Sequence, residues 1–149
     1  MERFLVAVDE DQQAPRVIEM AGRLAQASGA ALTVCHVMPE ERYRRIEAQQ
    51  EKQHVAIPFS ISAAELQAQE LAAGYARELH GYGVPFDVIG RVGDPAPTIV
   101  ALARELDADL IILGFEGLTG IERIRALGSV SRAVMETTRR PVMVVPAVQ

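Results

Sequence analysis

The segment GDPAPTIVALARELDADLIILG, residues 93–114, decides the architecture. Asp94 stands where a helix N-cap belongs, and Pro95 suits the first helical position, whose amide needs no acceptor. Ile99, Leu102, Ala103 and Leu106 then recur at helical spacing and form one apolar stripe. The helix leads almost directly into DLIILG (109–114), a short continuous apolar run. A run of that kind fits a strand covered on both faces.

The same alternation extends in both directions. RFLVAVD (3–9) reads as a buried strand, followed by a helix whose stripe is Val17, Ile18, Ala21, Leu24 and Ala25. SGA (28–30) closes that helix with a C-cap glycine. ALTVCHV (31–37) is a second buried strand, rich in β-branched residues. Residues 38–62 are mostly charged and polar and read as an insertion or flap, partly helical. From about Ser62 a helix carries Ala68, Leu71, Ala72, Tyr75, Ala76 and Leu79 on one face and ends at HGYG. PFDVIGRV (85–92) is a third strand, interrupted by Asp87 and Arg91. After DLIILG, a last helix shows Val130, Ala133, Val134 and Thr137, and RRPVMVVP supplies a fifth strand at about 141–146. Helical crossovers between apolar strands force parallel pairing and put helices on both faces. The expected fold is α/β: one domain over residues 1–149, built on an open five-stranded parallel sheet.

Charge narrows the partners. The net charge is −5 and the sequence pI about 5.2, which disfavours a nucleic-acid backbone or an anionic membrane. The single cysteine, Cys35, lies in an apolar strand and reads as a small buried hydrophobe. His36 beside it reads as a structural histidine, and the spacing of His54 and His80 suggests no metal site. One cysteine gives no disulfide framework and no zinc cluster, which points to a reducing cytoplasmic setting. MERFLVAVDE is too short an apolar run for a signal peptide, and no stretch approaches the roughly 20 apolar residues of a membrane span.

Chemistry is concentrated in GFEGLTGIERIRALGSVS (114–131), which holds four of the eleven glycines. Open parallel sheets bind ligands beyond the carboxyl ends of their strands, where strand order reverses. With the first strand central, Asp9 and Gly114 end side by side at that place. The helix opening GSVS offers unpaired amides and the positive end of its dipole, and Ser129 and Ser131 add hydroxyls; this suits a phosphate. A plain strand-to-helix loop, with Ser129 as cap, is the alternative reading. No G-x4-G-K-[S/T] or G-x-S-x-G is present, so efficient phosphoryl transfer is not expected.

LVAVD, GAALTVCHV, GDPAPTIVALARELDADLIILG and LGSVSRAVMETTRRPVMVV, in this order, resemble the universal stress protein family over nearly the whole chain. The resemblance implies a Rossmann-like fold of strand order 3-2-1-4-5 that binds ATP or another adenine nucleotide, with Mg²⁺, in a cytoplasmic stress-response protein. It implies that Ala7, Val8 and Asp9 flank the nucleotide, with Asp9 near the ribose or a metal. Val37 would meet adenine through its backbone. Gly114 and Gly117 would line the ribose and phosphates, and Gly128, Ser129, Val130 and Ser131 would hold the phosphates. It also implies a homodimer formed through the last strand, which would cover a bare apolar edge. The family pattern G-x2-G-x9-G-[S/T] is met with ten residues between Gly117 and Gly128, so one residue bulges, expected at Thr119-Gly120. Glu10, Asp11 and Glu116 add acids that Mg²⁺, or Arg123 and Arg125, would offset. Two rival functions stand beside nucleotide binding: an interaction module of the same fold without nucleotide, and a slow ATPase or nucleotidyl transferase. In either nucleotide-linked case the flap arginines Arg42, Arg44 and Arg45 and Lys52 are available to an anion, or are simply a solvated face.

Overall fold

Five short strands, rich in β-branched residues and leucine, pair side by side as parallel strands. The computed structural model describes residues 2–10, 13–54, 59–115 and 128–146. The strands are β1 (Arg3–Ala7), β2 (Ala31–Pro39), β3 (Phe86–Gly93), β4 (Leu110–Gly114) and β5 (Val142–Val145). Their order in the sheet is β3-β2-β1-β4-β5. Register is continuous across the centre: Val6 pairs with Val34 on one side and Ile112 on the other. The helices are α1 (Ala14–Ser28), α2 (Glu40–Lys52), α3 (Ile61–Ala76), α4 (Pro95–Glu105) and α5 (Ser129–Thr137), with a short 3₁₀ segment at Arg77–Tyr82.

From β1 the chain first moves outward to β2 and β3, then returns past β1 to β4 and β5. Right-handed crossovers therefore place the helices of the two halves on opposite faces. On one face α1 and α3 cover Phe4, Val6, Leu32, Val34 and Ile112. On the other α4 and α5 cover Leu5, Cys35, Ile111 and Leu113. Burial on both faces is why the central strands read as continuous apolar runs.

α1 ends as expected at Gly29, whose φ of 76° is left-handed and whose amide donates to Ala25 O at 2.8 Å. Asp94 occupies the N-cap position of α4, but its side chain makes no capping bond; its backbone oxygen accepts from the Thr98 amide at 3.1 Å. The buried line of α3 is Ala64, Ala68, Ala72 and Ala76, with Leu71 and Tyr75 half-buried. Gly90 of β3 explains that choice. A Cβ there would come closer than 3.0 Å to Glu65 O and Gln69 N, so the helix backbone lies directly on the strand.

The stretch expected as a flap is more regular than its composition suggests. β2 continues through Met38 and Pro39, and Glu40–Lys52 forms α2. No α2 residue is buried. Its helix is supported locally: Glu40 and Glu41 sit in the first turn and Lys52 in the last, and Arg44 reaches Glu40 at 2.8 Å. Tyr43 and Ile46 anchor it against Met38, Ala64, Ala68 and Phe59.

Candidate functional site

The reversal of strand order at β1 leaves a cleft at the carboxyl ends of β1, β2 and β4. Neighbouring crossovers depart there to opposite faces and cannot cover the gap. The cleft measures about 570 Å³ with its open mouth included. β1 and the residues after it contribute Ala7, Val8 and Asp9; β2 contributes His36, Val37 and Pro39; β4 contributes Leu113 and Gly114. α1 closes one side with Ala14 and Val17, and α4 and α5 close the other with Pro95, Ile99, Val130 and Ser131.

Of the residues expected at a ligand, Ala7, Val8, Asp9, Val37, Gly114, Val130 and Ser131 line this cleft together. Gly128 and Ser129 begin α5 beside it but are not among its walls. Gly117, like Asp11, Glu116, Thr119, Gly120, Arg123 and Arg125, lies outside the described residues. Ala14, Val17, His36, Pro39, Pro95, Ile99 and Leu113 were not anticipated at the site. Pro95 carried the one usable signal, because a helix start after a strand end points its first turn at that rim.

The start of α5 has the geometry of an anion seat. Its first backbone bond runs from the Arg132 amide to Gly128 O at 3.0 Å, so the amides of Ser129, Val130 and Ser131 come before any intrahelical acceptor. Gly128 itself has an ordinary extended backbone, φ −63° and ψ 159°, which any residue adopts. Ser131 is 1% exposed, and its hydroxyl donates to Gly114 O at 2.7 Å. That bond fastens the first turn of α5 to the end of β4.

Asp9 does not cap α1, whose N-cap is Gln13; its Oδ1 accepts from the Glu10 amide at 2.7 Å. His36 is buried, with Nδ1 2.9 Å from Val8 O and 3.9 Å from Asp9 Oδ1. Glu10, one of the acids flagged near the rim, faces Arg42 of α2 at 3.4 Å. Both side chains are largely exposed, so this pair balances local charge more than it stabilises the fold. Cys35 faces the α4 side, fully buried; burial pushes its thiol up to about 12, against a weaker downward pull from Arg91. A thiol in that state is no nucleophile at neutral pH.

The walls are mainly apolar, with a few polar atoms and, at one end, a row of amides without an intrahelical acceptor. Such a cleft suits a ligand that is flat and apolar at one end and anionic at the other. Among the described residues no three His, Cys, Asp or Glu side chains gather as a metal site, and no helix is long and apolar enough to cross a membrane.

Known proteins share this design. The universal stress protein family matches residues 1–146. A curated relative, the universal stress protein Sll1388 of Synechocystis, is 28% identical, with 96% of each chain covered. A universal stress protein solved in complex with cAMP superposes with a TM-score of 0.64 at 24% identity, covering 97% of this chain and 96% of that one. One from Archaeoglobus fulgidus, in complex with dAMP, superposes at 0.62 and 23% identity, covering 97% and 98%. At such identities the structural likeness speaks for the fold, which it matches end to end. With the family match spanning almost every residue, the chain belongs to the universal stress protein family.

Proposed function

We propose that this protein binds an adenine nucleotide, ATP foremost, at the carboxyl ends of β1 and β4. The observation that carries the reading is the coincidence of an apolar cleft with the amides opening α5 at its rim, which have no backbone partner among the described residues. In this reading adenine enters the apolar part beside Val37, and Asp9 meets the ribose or a cation. The phosphates rest on the amides of 129–131, with Gly128 and Ser129 bordering them and Gly114 at the end of β4. The cAMP and dAMP complexes of structural neighbours support an adenine ligand as the class. Mg²⁺ would depend mainly on the phosphates, with Asp9 the available protein oxygen; a cation that keeps most of its waters needs little more. The protein acts as a stress-response binding factor of the cytoplasm, and β5, the half-buried edge strand, pairs with its copy in a homodimer.

Thermal unfolding with millimolar ATP, with and without Mg²⁺, tests this. Saturation at about 100 times Kd raises stability by about 2.7 kcal/mol, a shift of several degrees. No shift with ATP, ADP, AMP or cAMP, together with no nucleotide in the mass spectrum of the denatured protein, would leave a dimeric interaction module as the surviving reading.

A further inference from the structure

We propose that His36 is a specificity-determining residue of the cleft, accepting a hydrogen bond from an N–H or O–H of the ligand; this rests on the nucleotide reading above. The imidazole is 3% exposed, and its Nδ1 lies 2.9 Å from Val8 O. A carbonyl oxygen only accepts, so the proton belongs on Nδ1. In the neutral ring Nε2 is then left with a lone pair and no proton. Asp9 Oδ1, at 3.9 Å from Nδ1, is too far to take that proton instead.

Nε2 has no hydrogen-bond partner among the described residues, yet it is not one of the sealed unpaired atoms of the core. For a ring this buried, the open side is the cleft that His36 lines. The other polar side chains of the cleft are engaged elsewhere, Ser131 with Gly114 O and Asp9 with the Glu10 amide. A ligand that covered Nε2 with carbon would strand a buried acceptor, whereas one presenting a donor satisfies it. The site therefore favours ligands carrying an amine or hydroxyl at that point. An adenine nucleotide has such donors in its exocyclic amine and its ribose hydroxyls.

The test is calorimetric titration of ATP and three analogues: purine riboside triphosphate, 2′-deoxyATP and 3′-deoxyATP. Each lacks one donor group. The protein is the wild type and His36→Asn, whose amide retains a donor toward Val8 O but has nothing where Nε2 stood. One analogue is expected to bind the wild type about tenfold more weakly than ATP. His36→Asn is expected to bind ATP weaker by the same factor and to lose the discrimination. In ¹⁵N-histidine spectra of the wild type, the His36 Nε2 resonance moves when ATP binds and stays when the discriminated analogue binds, a readout that needs no variant. If ATP binds while all three analogues match it, or His36→Asn discriminates like the wild type, this proposal falls and the nucleotide reading stands. If ATP does not bind the wild type, both fall together.

Discussion

Replacing Gly90 with alanine tests the tightest of the glycine contacts among the described residues. The new methyl would overlap Glu65 O and Gln69 N and approach Ala68 C at 3.0 Å, all backbone atoms of α3. No rotamer change relieves a clash with backbone, so α3 must lift from β3. Lifting separates Ala64 and Ala68 from Met38 and loosens the base of α2, because that small cluster joins the three elements. Overpacking a well-filled interior costs about 1–3 kcal/mol, and a rigid obstacle belongs at the upper end. For a chain of this size about 3 kcal/mol lowers Tm by roughly 6–12 °C. Gly74, in the middle of α3, provides the internal control: a Cβ there meets nothing within 4 Å. Gly74→Ala should raise stability by up to about 1 kcal/mol through helix propensity alone. Urea titrations followed by circular dichroism measure both. A Gly90→Ala midpoint within error of the wild type, or a loss no larger than the Gly74→Ala change, would show that α3 does not rest on β3 as described.

Other consequences can be measured separately. Ser131→Ala removes the tie between α5 and Gly114 O; it should cost about 1 kcal/mol of stability, seen as a Tm lower by about 3 °C, and it should weaken ATP binding even though its hydroxyl already has a partner. Cys35 ionises near 9 in the unfolded chain and near 12 when folded, so its contribution is fully present below about pH 9 and is lost as pH rises toward 12. Between pH 9 and 10.5 the wild type should therefore lose more stability than Cys35→Ala, by up to about 1.4 kcal/mol per pH unit; parallel urea midpoints for the two proteins would contradict this. α2 buries no residue, so amide exchange should be faster over 40–52 than over α1 or α3. Equal protection by mass spectrometry would mean that α2 is held by more than Tyr43 and Ile46.

The sheet was legible because its central strands are buried on both faces, and sequence shows that as unbroken apolar runs. β4 needed nothing beyond LIILG and the helix before it. Strand ends were less legible. β2 runs past Val37 because β3 pairs with it through Met38 and Pro39, a fact that belongs to the partner strand. The inward face of α3 was read correctly at Ala68, Ala72 and Ala76, and at Leu79 beyond its end, but its centre was set too far toward the large side chains, for a related reason. Sequence reasoning weights large side chains and selected Leu71 and Tyr75, but Gly90 admits only a small-residue face, and Ala64 leads it. Nothing local to 61–76 announces a glycine some twenty residues later in another element. α2 was hidden by its polarity, since its support comes from charge placement rather than from a buried stripe. At the site, the strand-end positions Ala7, Val8, Val37 and Gly114 followed from topology, whereas His36 was set aside as structural. Its bond to Val8 O makes it structural, and its second nitrogen is what the sequence could not orient.

A common principle links the polar atoms of the cleft. Each side chain there that bears a hydrogen-bonding group is already fixed to nearby backbone: Ser131 to Gly114 O, His36 to Val8 O, and Asp9 to the Glu10 amide. The first ties the opening turn of α5 to the end of β4, the second ties β2 to the residue after β1, and the third shapes the turn that follows β1. What they leave for a ligand is mostly backbone, the amides of 129–131, which no side-chain substitution removes. Substituting Ser129 with alanine should therefore change ATP affinity only a few-fold, because the amide remains and side-chain hydrogen bonds to an exposed anion contribute modestly. Proline at Ser131 should act differently, deleting an amide and the tie to Gly114 O at one position in the helix's first turn. A Ser131→Pro protein that stays folded by circular dichroism and still binds ATP like the wild type would refute the amide seat. Loss of binding beyond that of Ser131→Ala, which deletes the same tie and keeps the amide, would locate the affinity in the backbone.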